Sequence, residues 1–145
     1  VFYPPNSNVL DRSSRFNRWQ VRKSRQDLEK LLNQSYAIGP LVDIDVERRG
    51  GSGRVTGLKL KGAEASAEVH GFQIRAALDL RDTLFVIDRT YDEQGRVDQF
   101  TFSGRGWGHG VGLCQVGAYG MAVAGGKYQD ILKKYYSGVK IEKIY

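Results

Sequence analysis

Between Gly104 and Gly126 the chain reads GRGWGHGVGLCQVGAYGMAVAGG, and nine of its eighteen glycines lie in those twenty-three residues. From Gly104 to Gly112 every second residue is glycine, so the intervening side chains are Arg105, Trp107, His109 and Val111. Glycine removes the Cβ where backbone must approach a neighbour closely or take positive φ. If the run is extended, side chains alternate faces, and one face is bare backbone while the other carries a cation, an indole, an imidazole and a small apolar group. Interior glycine weakens a strand, so this spacing points to a ligand-facing segment; a tight packing corner is the alternative. His109 is one of only two histidines, and its flanking glycines give access to the ring. It is suited to donating a hydrogen bond to a sugar or a developing oxyanion, or to moving a proton near neutral pH. The alternative role is a ring that bonds carbonyls and holds the loop in shape. An oligosaccharide needs aromatic platforms and donors, which Trp107, Tyr119, Arg105 and Gln115 supply.

Other chemistries fit less well. Cys114 falls at the expected first turn of a helix, where the dipole lowers a thiol pKa, and with His109 it suggests a Cys–His peptidase or acyltransferase. Five-residue spacing and the lack of an orienting Asn or Asp speak against that dyad, and a small residue packed against a sheet is the expected role. A metal site would need His70, His109 and Cys114 to converge with a fourth ligand; no CxxC or HxxxH spacing is present, so no metal is expected. The glycine run lacks the Lys-Ser/Thr of a P-loop and does not spell the dinucleotide fingerprint, so no cofactor is implied. Glu64, Glu68 and Asp88 sit beside predicted strands, where solvated faces account for them.

The elements that must position these residues follow from periodicity. Residues 1–15, with Pro4-Pro5, read as an arm or loop, and residues 16–145 as one domain. Phe16 to Val21 alternates as a strand. Ser24 is a candidate N-cap, with Asp27 at the third helical position in a capping-box variant. Leu28, Leu31 and Leu32 then predict a helix over 25–34. Val42–Arg49 and Val55–Lys61 alternate around Gly50–Gly53 as a hairpin. Ala67–His70 is a short strand, and Gly71–Leu80 a helix burying Phe72, Ile74, Ala77 and Leu78. Leu84–Asp88 and Val97–Ser103 form a second hairpin that runs into the glycine motif. Leu113–Ala124 and Tyr128–Tyr136 are predicted helices, and Val139–Ile144 a closing strand. Phe100, Phe102, Tyr135 and Tyr136 are assigned to packing. The fold class is α+β: antiparallel hairpins packed with three to four short helices in a single domain.

At 145 residues the chain can bury a core of its own. It is 41% hydrophobic and 26% charged, ordinary for a globular protein, and no run of eighteen apolar residues exists to span a bilayer. Val1 in place of Met, with no basic-then-apolar leader, predicts a processed product or a fragment. The net charge of +6 favours polyanionic partners such as nucleic acid, anionic lipid or acidic wall polymers. The cations are dispersed among acids and no RRM, KH or helix-turn-helix pattern appears, so nucleic acid is not expected. A lone cysteine allows no internal disulfide.

GRGWGHGVGLCQVGA resembles the signature of the SpoIID/LytB (sporulation stage II protein D) family, G-x-G-x-GHGVG-[ML]-[SC]-Q-x-GA. Looser similarities are the Arg18-Trp19 pair before a helix, Gly53-Arg54-Val55 in a hairpin, Gly71 to Arg75, and the terminal Tyr135-Tyr136-x-Gly138. The resemblance covers most of this chain but only the C-terminal portion of the family domain. It implies a bacterial, extracytoplasmic protein that acts on the glycan strands of peptidoglycan. Members resemble lytic transglycosylases, in which the sugar's own 6-hydroxyl attacks and one acid suffices, or enhancers of a partner amidase. The family's catalytic Glu belongs to a stretch reading roughly EALKAQAVAART, which nothing here matches and which would lie upstream of Val1; the catalytic acid is therefore unknown. Arg105, Trp107, His109, Gln115 and Tyr119 are the expected substrate-binding residues, with His109 the assisting one. A non-catalytic glycan-binding or amidase-enhancing module is the alternative.

Overall fold

Ser24 accepts a hydrogen bond from the Asp27 amide at 3.1 Å through its hydroxyl, which also donates to the Asp27 carboxylate at 2.7 Å. This closes the first turn of a helix over Arg25–Leu32 whose Leu28 and Leu32 are fully buried. The computed structural model describes residues 14–142. Six strands precede the glycine motif: β1 (Trp19–Ser24), β2 (Leu41–Arg49), β3 (Val55–Gly62), β4 (Ser66–His70), β5 (Phe85–Tyr91) and β6 (Val97–Gly104). Helix α1 (Arg25–Leu32) follows β1 and α2 (Gln73–Ala77) follows β4, while α3 (Gln115–Val123) and α4 (Tyr128–Tyr135) come after the motif. The strands form two antiparallel three-stranded sheets, ordered β1-β6-β5 and β2-β3-β4. The α+β class and the antiparallel hairpins expected from the sequence are what the protein forms.

The described residues belong to two compact units: Arg18–His109, and 14–17 with 110–142. In the first, alternation builds the core. Phe100 and Phe102 on the central strand β6 are buried with Phe85, whose ring meets Phe102 edge-on with centroids 5.7 Å apart. In the other sheet Leu60 stands opposite Ile44 and Ala67, and Leu58 opposite Val46 and Val69. Arg89 of β5 reaches β2, donating from Nε to Asp43 at 2.6 Å and from its second nitrogen to the Ile44 carbonyl at 2.6 Å and Asp45 at 3.3 Å. Lys61 adds an ion pair to Asp45 at 2.5 Å. Its hydrogen bond holds the Asp45 carboxyl below the ordinary carboxylate value, against the opposing effect of burial. At the tip of the second hairpin Asp92 accepts the backbone amides of Arg96 at 2.8 Å and Gln94 at 3.0 Å, which likewise lowers its pKa.

Several sequence expectations need correction. The first strand begins at Trp19 rather than Phe16, and α1 stops at Leu32. A register shift between Leu41 and Asp43 turns Leu41 inward and leaves Val42 52% exposed, so the alternation expected from Val42 breaks at its first residue. The predicted helix over Gly71–Leu80 shrinks to Gln73–Ala77, because Gly71 (φ 55°) and Asp79 (φ 49°) both adopt left-handed backbone. Ile74 and Leu78 are buried as expected, but Phe72 is 53% exposed. Residues 139–142 form no strand. The remainder of that predicted element, and the arm over residues 1–13, lie outside the described residues. Tyr136 is exposed rather than packed in a core.

Candidate functional site

The glycine run is a loop, not an extended strand. Regular pairing ends at Gly104, and Gly106, Gly108, Gly110 and Gly112 have φ of 79°, 150°, 73° and 75°. Each second residue thus adopts a conformation that a side chain resists. This corrects the picture of one bare and one decorated strand face.

Within Arg18–His109 the loop is fastened by backbone. The Arg105 amide donates to the Leu84 carbonyl at 3.0 Å, and the Gly108 amide to the Arg81 carbonyl at 3.1 Å. The Trp19 indole donates to the Gly106 carbonyl at 2.7 Å. Trp19 stands opposite Gly104 across β1 and β6, and a Cβ at that glycine would collide with its six-membered ring. Behind Gly106 lies Asp82, 2% exposed; a Cβ on Gly106 would come within 3.1 Å of its carboxylate. That carboxylate accepts the Leu84 amide at 2.9 Å and the Arg54 Nε at 3.1 Å. A buried charge needs such partners.

The side chains expected to bind substrate are treated differently by this loop. Arg105 is 6% exposed, which places it among the interior groups and not on an open face. Trp107, 56% exposed, and His109 face solvent. The His109 ring meets the exposed ring of Phe72 edge-on, centroids 6.0 Å apart at 71°. Phe72 was missed as a surface residue: its apolar character points to the core, and only the helix start at Gln73 turns it outward. Asp82 and Arg54 were also missed, since an Asp in a loop and an Arg after a turn carry no sign of burial. His70 is held on β4 by Arg48 at 3.3 Å and Glu68 at 3.2 Å. Its Nε2–H tautomer, assigned from these contacts, satisfies both.

In the second unit α3 begins at Gln115, so Cys114 is the N-cap rather than a first-turn residue, and its sulfur accepts the Gly117 amide at 3.4 Å. Cys114 is exposed, which overturns its expected packing against a sheet. Gln115 and Tyr119 are exposed on α3. Gly117 is buried, and a Cβ there would collide with the Tyr135 hydroxyl of α4. One on Gly112 would lie 3.6 Å from the Tyr136 hydroxyl. The small residue at 117 is thus what admits α4 to α3.

Among the described residues, no three of His, Cys, Asp and Glu group as metal ligands, and no helix is long and apolar enough to cross a membrane.

Known proteins are similar to parts of this chain. It is 34% identical over 100 residues to Stage II sporulation protein D of Bacillus subtilis, covering 60% of this chain and 29% of that one. It is 49% identical over 43 residues to the Amidase enhancer of the same organism, covering 30% of this chain and 6% of the relative. An uncharacterized protein of Brachyspira hyodysenteriae is 62% identical over 39 residues, 27% of this chain and 11% of that protein. The chain spans less than a third of the length of each of these relatives. It is a SpoIID-like domain. Residues 5–112 match the family described as "Domain of unknown function (DUF8618)", and the chain belongs to that family.

Proposed function

We propose that this domain binds the glycan strands of peptidoglycan, outside the cytoplasm of a bacterium, with Trp107 and His109 as the contacts that matter most. The observation that carries the reading is an exposed indole and imidazole on a loop whose backbone is otherwise fastened by Trp19, Leu84 and Arg81. An indole face suits the apolar face of a pyranose, and an imidazole donates to or accepts from its hydroxyls. Arg105 acts from inside the loop, and Gln115 and Tyr119 are further contacts proposed from the sequence. Relatives named Stage II sporulation protein D and Amidase enhancer support a role in wall remodelling.

If the strand is also cut, the reaction is that of a lytic transglycosylase. An acid protonates the leaving oxygen as the glycosidic bond breaks, and its conjugate carboxylate takes the proton of the sugar's own 6-hydroxyl as that oxygen bonds to the anomeric carbon. The buried carboxylate nearest the loop glycine, Asp82, is occupied by Arg54 and the Leu84 amide. The acid is therefore proposed to come from a companion segment or a second protein. Mass spectrometry of purified glycan strands incubated with this chain tests the assignment. Intact strands that co-sediment with the protein are expected; ends bearing 1,6-anhydro sugars place an acid within these residues, and Glu64, Glu68 and Asp88 are then substituted in turn.

A second reading is an accessory module for a cell-wall amidase. The relative named Amidase enhancer favours it, as do the exposed Tyr119, Val123 and Tyr128 of α3 and α4. A rise in amidase turnover on adding the chain, with no glycan binding, selects this reading over the first.

A further inference from the structure

Helices α1 and α2 leave an open pocket of about 340 Å³, at the small end of the range for ligand sites. Gln34, Ser35 and Gln73 bring two amides and a hydroxyl to it, Tyr36 a phenol ring, and Leu31, Ala76 and Ala77 only hydrocarbon. No hydrogen bond to another described residue uses the side chains of Gln34, Ser35, Tyr36 or Gln73, so their donors and acceptors are open to a ligand. In a chain that is 26% charged, this pocket carries no carboxylate, ammonium, guanidinium or imidazole. An ionic ligand would find no countercharge here. A neutral one with both amide and methyl groups would find a partner for each.

An N-acetylated sugar has that composition. Its acetamido carbonyl accepts from a glutamine amide, and its N–H donates to a glutamine carbonyl or to the Ser35 hydroxyl. Its methyl packs on alanine and leucine, and its ring face on Tyr36. The pocket and the loop already described are linked through α2 and the residue before it. Gln73 opens α2, and the residue before it, Phe72, is the one whose ring meets His109. The whole of α2 is about 7 Å long, at about 1.5 Å per residue, so pocket and loop lie within the reach of one oligosaccharide.

We propose that this pocket is a second saccharide subsite, taking an N-acetylated sugar of the strand whose other units meet Trp107 and His109. The inference rests on the glycan-binding reading. Calorimetric titration of the full chain with N-acetylglucosamine oligomers, dimer through hexamer, tests it. Affinity rises with length, and the double variant Gln34→Ala, Gln73→Ala loses that rise, its hexamer binding about tenfold more weakly while its dimer is unchanged. Both glutamines are exposed, so the melting temperature of the double variant stays at the parent value. Trp107→Ala weakens every length alike. A double variant that still binds the hexamer as tightly as the parent overturns the subsite and leaves the loop reading standing. No binding of any oligomer by the parent overturns the glycan reading, and the subsite with it.

Discussion

The glycine motif passes through two units built on different terms. Every buried hydrophobic side chain among the described residues lies in Arg18–His109, from Trp19 to Phe102. In residues 110–142 the one buried residue is Gly117, and Val111, Tyr119, Val123 and Tyr128 are exposed. Glycine accordingly does two jobs. At Gly104 and Gly106 it lets a loop lie close over a buried indole and a buried carboxylate; at Gly117 it lets one helix lie against another. The first arrangement is backed by a packed core. The second depends on close helix contact with little area removed from water, and hydrophobic stabilisation scales with that area.

This difference is open to direct attack. Truncating the core, Phe102→Ala, should lower stability by about 3–5 kcal/mol, read by urea unfolding. The same kind of truncation on α4, Ile131→Ala, should cost less than about 1 kcal/mol, because Ile131 is only partly buried. Equal losses would show that the helical unit has a core after all. Asp82→Asn leaves the Arg54 guanidinium without its charge partner and should cost roughly 1–3 kcal/mol; glycan affinity should fall with it as the loop loses its backing. Gly106→Ala should cost about 1–2 kcal/mol through its positive φ and the approach to Asp82 and should weaken glycan binding. Gly125→Ala, also left-handed (φ 87°) but with open space around it, should cost about 1 kcal/mol with binding intact. Trp107→Ala should reduce glycan affinity about tenfold, roughly 1.4 kcal/mol.

The smallest effect concerns pH. The Asp45 carboxyl is depressed below 3.8 and the Lys61 ammonium raised above 10.5, each chiefly by their mutual hydrogen bond. A depressed carboxyl stabilises the fold above its unfolded value and ceases to do so as pH falls through the folded one; a raised ammonium does the reverse, stabilising below 10.5. The pair therefore supports the fold between those limits and fails outside both. Asp45→Asn should lower stability slightly across the neutral region and converge with the parent as pH falls below 3.8, so the acid limb of its stability–pH curve is flatter.

Much of this was legible from local chemistry. Ser24 and Asp27 announced α1 because a cap depends on residues three apart, and the hairpins announced themselves because alternation and turn residues are local. What failed was decided at a distance or by a single backbone angle. Phe72 looked like core because nothing nearby says that Gly71 and Asp79 shorten its helix. Asp82 looked like an ordinary loop residue because its burial comes from Arg54, twenty-eight residues earlier in the chain, and from a loop that follows it. The glycine run was legible as unusual but not in its conformation. The loosely similar segments were better guides than their weak spelling suggested. Trp19 of the first bonds Gly106, Arg54 of the second bonds Asp82 beneath it, and Phe72 of the third touches His109.

The pairing of Trp19 with Gly104 also bears on the order of assembly. Strands β2, β3 and β4 meet through short connections, whereas β1 must close on β6 across the whole intervening chain. Closing a longer loop costs more chain entropy, and long-range contacts form after the local ones that offset it. The indole that grips Gly106 arrives on that late strand. A nascent or partly unfolded chain should thus hold its local hairpins while the loop bearing Trp107 and His109 is still unformed, which makes ligand binding a report on completed folding.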